Sequence, residues 1–401
     1  MMYLYFYLIS FSLVGYGLLV SKILNIKVPS LGVYGILGIT LLSLISLFSS
    51  LFFNHGYFFN FTFLIIGLIL ILFFFKELFE LKKQILILII ILSVLLIFIT
   101  VSKNHDDFPY YHFPYISFLT EFSHPIGFGQ FNNGFRSPSS IFFLSSMFYL
   151  PGIDIYLFHI ACALILGFSN LILINLIFNK NLFNQSRYIN FLSLMTFSFI
   201  NIFFYRLAEH GTDKSGMILV MISIIFFIYL INSKKVFSNI DIMKFVIITI
   251  CFVSTIKPFY LINLPIIFLF ACYFNTRKDF LKLFFSKTFF YCLTLISLII
   301  FYTFINSGCL VYPATFLCFE NLPWSLNKDY INEVNIWFEL WSKGGANPNF
   351  ITEDKLNYIS NFNWFANWMN NYFFNKISDF LIGISVLILT ISFLFYKKKI
   401  N

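Results

Sequence analysis

The stretch from Asn104 to Ser140 contains the residue types of this sequence that could do chemistry. It reads NHDDFPYYHFPYISFLTEFSHPIGFGQFNNGFRSPSS and interrupts a chain that is otherwise mainly apolar. Asp106 and Asp107 lie just after an apolar run, so a membrane helix would deliver both carboxylates to the water boundary. A carboxylate in a partly desolvated cleft is more basic than one in water and can deprotonate a hydroxyl group. The pair is therefore the candidate catalytic base.

A purely structural role for the same pair is the alternative. Asp is a good helix N-cap and Pro a good first helical residue, so Asp107 or its neighbour would cap a helix that begins near Pro109. The following YYHFPYISFLTEF predicts an interfacial helix with its tyrosines at the level of the lipid headgroups. His105, Tyr111 and His112 would then lie beside the acids as candidate substrate contacts.

Four basic residues could bind an anion such as a phosphate group: Arg136, Arg206, Lys214 and Lys257. A cation near an apolar span is costly unless it reaches the interface, pairs with an acid or binds an anion. Arg136 precedes SPSS, whose serines could cap a helix, so backbone donors and a guanidinium could converge on one phosphate. Lys257 is the stronger candidate, because Pro258 breaks the helix there and exposes backbone groups beside the ammonium. Snorkelling or salt bridging is the alternative for each cation.

The loop AEHGTDKSG contributes Glu209, His210 and Asp213 as further polar candidates. Gly211 permits a tight turn that would bring them together, whereas Asp213 taken alone is explained by capping a helix at 215–232. A divalent metal site is conceivable, since such ions accept His and Asp ligands. No recognised ligand spacing supports it, so no metal is assigned. Its candidate ligands would be His105, Asp106, Asp107 and His210.

The segment 307–377 holds all five tryptophans of the chain. Tryptophan suits a sugar-stacking surface or the membrane interface. Tyr312 and Trp324 are therefore candidate substrate contacts. The alternative is that the segment forms an amphipathic helix that lies on the bilayer. Cys309 and Cys318 lie in this segment. A disulfide between them is possible if the segment is extracytoplasmic, and the sequence leaves that pairing open.

The composition defines the class of protein. Of 401 residues, 59% are hydrophobic and 11% charged, against about a quarter charged in soluble domains. The chain is therefore an all-α integral membrane protein with a single polytopic domain over residues 1–401. At about 20 residues per crossing, we count eleven spans, near 2–20, 31–53, 58–75, 84–101, 153–178, 188–205, 215–232, 243–256, 258–274, 287–306 and 378–396.

Charge distribution predicts the orientation of these spans. Placing the N-terminus outside puts most Lys and Arg residues, including the C-terminal KKK, in the cytoplasm, as the positive-inside rule requires. The loop 102–138 and the segment 307–377 then lie outside. We read the short apolar stretch 139–151 as a re-entrant or half-inserted helix, and 243–274 as two short spans that meet at Lys257. The first segment is read as a spanning helix and not as a removable signal.

Several motifs in order carry a resemblance to known proteins. DDFPYYHFPYI, GFGQFNNGFRSPSSIFFLSSMFYLPG, AEHGTDKSG, STIKPF and SGCLVYPATF followed by PW resemble, from about residue 100 onward, an uncharacterised family of bacterial multispan proteins with a topology like that of the GT-C membrane glycosyltransferases. The resemblance implies inverting sugar transfer from a polyprenyl-phosphate donor, with Asp106 or Asp107 as base and Arg136, Arg206 or Lys257 on the phosphate. The resemblance does not extend to the large soluble C-terminal domain of some GT-C enzymes.

The expected partners follow from that resemblance: a lipid-linked sugar donor, a glycan or lipid acceptor of the cell envelope, and the bilayer of the bacterial inner membrane. No nucleic-acid partner is expected, since the net charge of +9 is distributed as a topology signal. A flippase or polymerase-type carrier of lipid-linked oligosaccharide is the second hypothesis, although carriers place charges along a midplane cavity and show inverted repeats. A non-catalytic scaffold of envelope assembly is the third.

Overall fold

The computed structural model describes residues 2–100, 107–152, 159–178, 187–204, 211–232, 240–267, 269, 281–282, 285–347 and 350–397. Helices dominate these ranges, and a two-stranded antiparallel hairpin pairs β1 (Ala346–Asn347) with β2 (Phe350–Ile351). The helices are α1 (Met2–Leu24), α2 (Leu31–Ser49), α3 (Tyr57–Phe73), α4 (Phe75–Glu80), α5 (Lys82–Thr100), α6 (Phe113–Glu121), α7 (Ser140–Ser146), α8 (Ile160–Phe178), α9 (Arg187–Phe203), α10 (Gly211–Asn232), α11 (Ile240–Ile256), α12 (Lys287–Ser307), α13 (Lys328–Ser342), α14 (Lys355–Ile359), α15 (Phe365–Trp368) and α16 (Ser378–Lys397).

Seven described helices are long and apolar enough to cross a membrane. Together with the nearly all-helical architecture they confirm a multipass α-helical membrane protein, because helices satisfy every backbone hydrogen bond internally in lipid. Three further predicted spans coincide with α3, α9 and α11, which have 17 residues each. That length is at the lower limit for a crossing. The count of eleven spans and the orientation of the termini stay predictions.

Close helix packing builds the core of the bundle. α1 packs against α2 and α3, and α8 packs against α2, α5, α9 and α10. Glycines permit the closest approaches: a Cβ atom on Gly38 of α2 would lie 1.8 Å from the Leu13 carbonyl oxygen of α1, and one on Gly17 of α1 would lie 1.7 Å from that of Tyr34. Small residues at such crossings let membrane helices pack by van der Waals contact.

The two irregular regions predicted from the sequence take defined forms. The stretch 139–151 contains α7, whose 7 residues are all buried and too few to cross a bilayer at about 1.5 Å per residue. α11 ends at Ile256, and Lys257 is extended before the 3₁₀ turn Pro258–Asn263, which confirms the break at Lys257. The last predicted span begins earlier than expected, because α15 continues through the π-helix Met369–Ile377 into α16.

Candidate functional site

Asp107 stands at the start of the predicted interfacial helix, which comprises a π-helical turn, Phe108–His112, followed by α6. Pro109 lies in its first turn, where its missing N–H costs nothing. Within the described part of the chain, the Asp107 carboxylate makes no capping hydrogen bond to this helix. Asp107 thus stands at the N-cap position that the capping alternative predicts, but its side chain does not supply the capping hydrogen bond. The carboxylate instead accepts a hydrogen bond from the Tyr111 hydroxyl, with 3.4 Å between Oδ2 and the phenolic oxygen.

Tyr111 occupies a crowded position beside this acid. A Cβ atom on Gly134 would lie 2.3 Å from Tyr111 Cγ, so only glycine fits against the ring there. His112 meets the same ring edge-on, with 4.3 Å between the centroids. Burial, then the negative charges of Asp107 and Asp213, raise the pKa of the Tyr111 hydroxyl well above its usual range. The two aspartates thus both raise the pKa of the Tyr111 hydroxyl, although they are distant from each other in sequence.

Lys257 forms an ion pair with Asp213, which joins the break after α11 to the first turn of α10. Both side chains keep access to water, since Lys257 is 39% exposed and Asp213 51%. The Tyr260 hydroxyl donates to the Asp213 carbonyl oxygen at 2.6 Å, and the Tyr260 ring packs on Gly216. The helix begins at Gly211, two residues before Asp213, so the prediction that Asp213 caps a helix starting at 215 is wrong. We name Asp107, Tyr111, Asp213, Lys257 and Tyr260 the aspartate cluster.

Arg136 lies in a second group and is buried there, with 6% of the residue exposed. Its Nε donates to the Gly129 carbonyl oxygen at 3.2 Å, Nη1 donates to Asn133 Oδ1 at 2.8 Å and to the Tyr312 hydroxyl at 3.0 Å, and Nη2 donates to the Tyr330 hydroxyl at 3.1 Å. The Tyr330 ring also lies 4.8 Å from the guanidinium carbon, within cation–π range. These bonds use four of the five N–H donors of the side chain. We name Asn133, Arg136, Tyr312 and Tyr330 the arginine cluster.

The other candidates of the tryptophan-rich segment pack beside the arginine cluster. Cys309 and Cys318 form a disulfide, which answers the pairing that the sequence left open. The Trp324 indole donates to the Phe304 carbonyl oxygen at 3.2 Å, and its own carbonyl accepts from Gln130 Nε2 at 3.0 Å. Trp324 and Tyr312 therefore connect the 307–327 segment to α12 and to the loop that contains Gln130 and Asn133.

The predicted amphipathic helix is present as α13, with Ile331, Val334 and Leu340 buried. Trp337 and Trp341 lie on it exposed, with their rings stacked at 5.9 Å. Contact of this helix with a bilayer stays a prediction.

A small cleft is bounded by the end of α11, the 3₁₀ turn after it and α12. Ser137 and Pro258 line it, and these residues directly follow Arg136 and Lys257. The two cations therefore flank the cleft and do not project together into it. Six of the twelve lining residues are aliphatic, namely Leu261, Ile296, Ile299, Ile300, Leu310 and Val311. Such a surface suits an apolar chain.

Five of the sequence candidates, His105, Asp106, Arg206, Glu209 and His210, lie outside the described residues. Asp107 is consequently the one proposed metal ligand that the structure describes. Among the described residues, no three His, Cys, Asp or Glu side chains are grouped as a metal site would need.

Sequence reasoning missed two tyrosines of these clusters, Tyr260 and Tyr330. A signal existed for Tyr260, because it stands three residues after Lys257 in a turn whose i and i+3 side chains share a face. Tyr330 is 194 residues from Arg136, and no local pattern connects the two.

Two histidines at this end of the bundle are buried as neutral side chains. His55 bonds Ser49 and Ser146 through its two ring nitrogens, at 2.9 and 2.6 Å, and His124 Nε2 bonds the Tyr115 hydroxyl at 2.7 Å. Burial lowers the pKa of each histidine to about 3. His55 thereby connects the segment between α2 and α3 to α7, and His124 connects the segment after α6 to that helix.

Acid is expected to destabilise the fold through these histidines. In the unfolded chain they take up protons as the pH falls below about 6.5, whereas in the folded chain they stay neutral down to about pH 3. The contribution of these histidines to the free energy of unfolding is therefore complete above pH 6.5. Between pH 6.5 and about pH 3 the free energy of unfolding falls by up to about 1.4 kcal/mol per histidine for each pH unit. Thermal unfolding followed by circular dichroism at pH 7, 6, 5 and 4 measures this loss, and His124→Gln should reduce its slope. A midpoint independent of pH would contradict the expectation.

Together these features define a polytopic α-helical membrane protein in which acids, cations and tyrosines gather where helices end. The chain belongs to the family described as "Domain of unknown function (DUF8201)", whose model matches residues 1–401. No curated protein and no solved structure matches it.

Proposed function

We propose that this protein is a membrane glycosyltransferase that transfers a sugar from a polyprenyl-phosphate donor to a glycan or lipid acceptor of the cell envelope. The observation that carries the proposal is the aspartate cluster, in which the Asp107 carboxylate beside Tyr111 and the partly exposed Lys257 lie at one end of the bundle. The resemblance of the sequence motifs to GT-C enzymes supplies the reaction class.

In the proposed reaction, the Asp107 carboxylate takes the proton of the acceptor hydroxyl. The acceptor oxygen attacks the anomeric carbon of the donor sugar, and the bond between that carbon and the phosphate oxygen breaks. Polyprenyl phosphate leaves with the bonding electrons, and the configuration at the anomeric carbon inverts. A positioned general base of this kind contributes about 10²–10⁴-fold to a rate.

Lys257 would bind the phosphate of the donor. An ammonium group has three donors, and Lys257 pairs with Asp213 while remaining 39% exposed, so a phosphate oxygen can reach it from the solvent side. The aliphatic side chains that line the small cleft beside Pro258 would contact the first isoprene units. This arrangement puts the donor phosphate between an apolar groove and a cation.

We place this chemistry on the extracytoplasmic face of the bacterial inner membrane, with the N-terminus outside and the C-terminus in the cytoplasm. The disulfide between Cys309 and Cys318 supports that placement, because disulfides persist in oxidising compartments. The basic residues of the opposite loops support the same orientation.

The proposal is tested with the purified full chain in nanodiscs. A panel of polyprenyl-phosphate sugars is supplied with an envelope lipid and glycan fraction, and release of polyprenyl phosphate is followed by mass spectrometry. We expect release with at least one donor, dependent on the acceptor fraction. Movement of intact lipid-linked sugar across proteoliposomes without release would instead assign the protein to the carriers.

A further inference from the structure

The 3₁₀ turn Asn133–Phe135 lies between the Arg136 side chain and the ring of Tyr111. On one side, Arg136 Nη1 donates to Asn133 Oδ1 at 2.8 Å. On the other side, the Gly134 backbone contacts the Tyr111 ring so closely that a methyl group on Gly134 has no room. A movement of the guanidinium would therefore displace the turn and, with it, the Tyr111 ring.

Three hydrogen bonds keep this turn in one conformation. Asn132 Oδ1 accepts from the Gly134 amide at 2.8 Å, and Asn132 Nδ2 donates to the Tyr110 carbonyl oxygen at 3.0 Å. The buried Asn306 side chain of α12 donates to the Phe135 carbonyl oxygen at 2.7 Å. A shift at either end of the turn must therefore be passed on or break one of these bonds.

The far side of Arg136 rests on the loop that the Cys309–Cys318 disulfide closes. The Tyr312 hydroxyl of this loop accepts from Arg136 and donates to Asn133 Oδ1 at 3.3 Å. Tyr312 is 5% exposed, so its ring is fixed by the packing around it. The loop, the guanidinium, the turn and the Tyr111 ring thus form one continuous set of contacts.

We propose that Arg136 is a positioning residue: supported by the disulfide-closed loop, it presses the turn 133–135 against Tyr111 and so holds the Tyr111 hydroxyl beside the Asp107 carboxylate. This replaces the sequence-based expectation that Arg136 binds phosphate. The inference deepens the proposed function, on which it rests only for the identity of Asp107 as the base. The contacts themselves can be tested without an activity assay.

The geometry accounts for arginine at this position. Arginine presents a rigid planar fork, which here reaches a backbone carbonyl, an amide side chain and two phenols at once. A lysine ammonium is a compact charge on a flexible stem and cannot span acceptors on both sides of this fork. We therefore expect lysine to preserve the charge of Arg136 but not its positioning role.

The experiment places 3-fluorotyrosine at position 111 of the full chain and records ¹⁹F NMR spectra in nanodiscs. Arg136→Lys and Tyr312→Phe are expected to shift or broaden the Tyr111 resonance and to let the label titrate at a lower pH. Reduction of the disulfide by a phosphine in the unmutated protein is expected to do the same. Gly134→Ala, which acts directly on the ring, gives the size of a full displacement.

Two controls separate positioning from general loss of packing. Tyr16→Phe removes a buried tyrosine hydrogen bond to the Phe63 carbonyl between α1 and α3, and Gly56→Ala adds a methyl group where the nearest atom is 3.5 Å away. Both are expected to leave the resonance unchanged.

An unchanged Tyr111 resonance and titration in folded Arg136→Lys would overturn the proposal. If that variant does not fold, Tyr312→Phe and the reduced protein decide the question in the same way. Since every readout is spectroscopic, the inference can fail while the transfer reaction is found, or hold while it is not.

Discussion

Asp107→Asn is expected to lower the kcat of sugar transfer by about 10²–10⁴-fold. Asparagine has the shape of aspartate and keeps an oxygen that can accept from the Tyr111 hydroxyl, so the variant removes the charge and leaves the geometry. The measurement is release of polyprenyl phosphate by the variant in nanodiscs at saturating donor. A thermal unfolding midpoint equal to that of the unmutated protein, measured by circular dichroism, would show that the variant is folded.

Two companion variants make this result specific. Asp329→Asn changes an exposed aspartate in the first turn of α13, away from the aspartate cluster, and should retain activity. Asp106→Asn decides which of the two adjacent acids is the base, since Asp106 lies outside the described residues. Wild-type activity in a protein that carries both Asp106→Asn and Asp107→Asn would refute the mechanism.

Lys257→Gln is expected to raise the KM for the lipid-linked donor by about 10- to 100-fold, because a charge-assisted hydrogen bond contributes about 1.5–3 kcal/mol. Stability should change little. The ion pair with Asp213 is 39% and 51% exposed at its two side chains, and exposed pairs contribute about 0–1 kcal/mol. Donor titrations of the transfer rate and thermal unfolding of the same preparation measure the two effects separately.

The chain offers a matched control for this lysine. Lys328 pairs with Glu320 at 3.8 Å, with side chains 43% and 46% exposed, so Lys328→Gln breaks a pair of similar exposure away from the cleft and should leave the donor KM unaltered. Asp213→Asn removes the group that competes with phosphate for Lys257 and is expected to lower the donor KM. If Asp213→Asn instead weakened donor binding as much as Lys257→Gln, Lys257 would be a structural partner of Asp213 and not a phosphate ligand.

Much of the helical architecture could be predicted from the sequence. Long apolar runs have few folded alternatives in a membrane, because a helix is the element that satisfies its own backbone polar groups. The break at Lys257 could also be predicted from the local sequence, because Pro258 lacks the N–H that would continue α11. The short buried α7 also agrees with the length of its apolar stretch.

The roles of single side chains could be predicted less well, because they depend on where helices begin and pack. Asp213 was expected at a helix cap, but α10 starts two residues earlier and leaves Asp213 facing Lys257. Asp107 stands at a helix start, yet within the described residues its carboxylate does not cap that helix and instead meets Tyr111. A shift of four residues in the start of α10, from 215 to Gly211, thus changes the partner of a charged group.

What the sequence by itself determined is a multipass helical membrane protein with polar segments at Asn104–Ser140, Lys257 and 307–377, because hydrophobicity and proline act locally. Only the tertiary structure decided which of these segments meet. Arg136 finds Tyr312 and Tyr330 at sequence distances of 176 and 194 residues, and Cys309 finds Cys318 as its disulfide partner. Such contacts depend on the packing of whole helices against one another, which no local pattern of residues encodes.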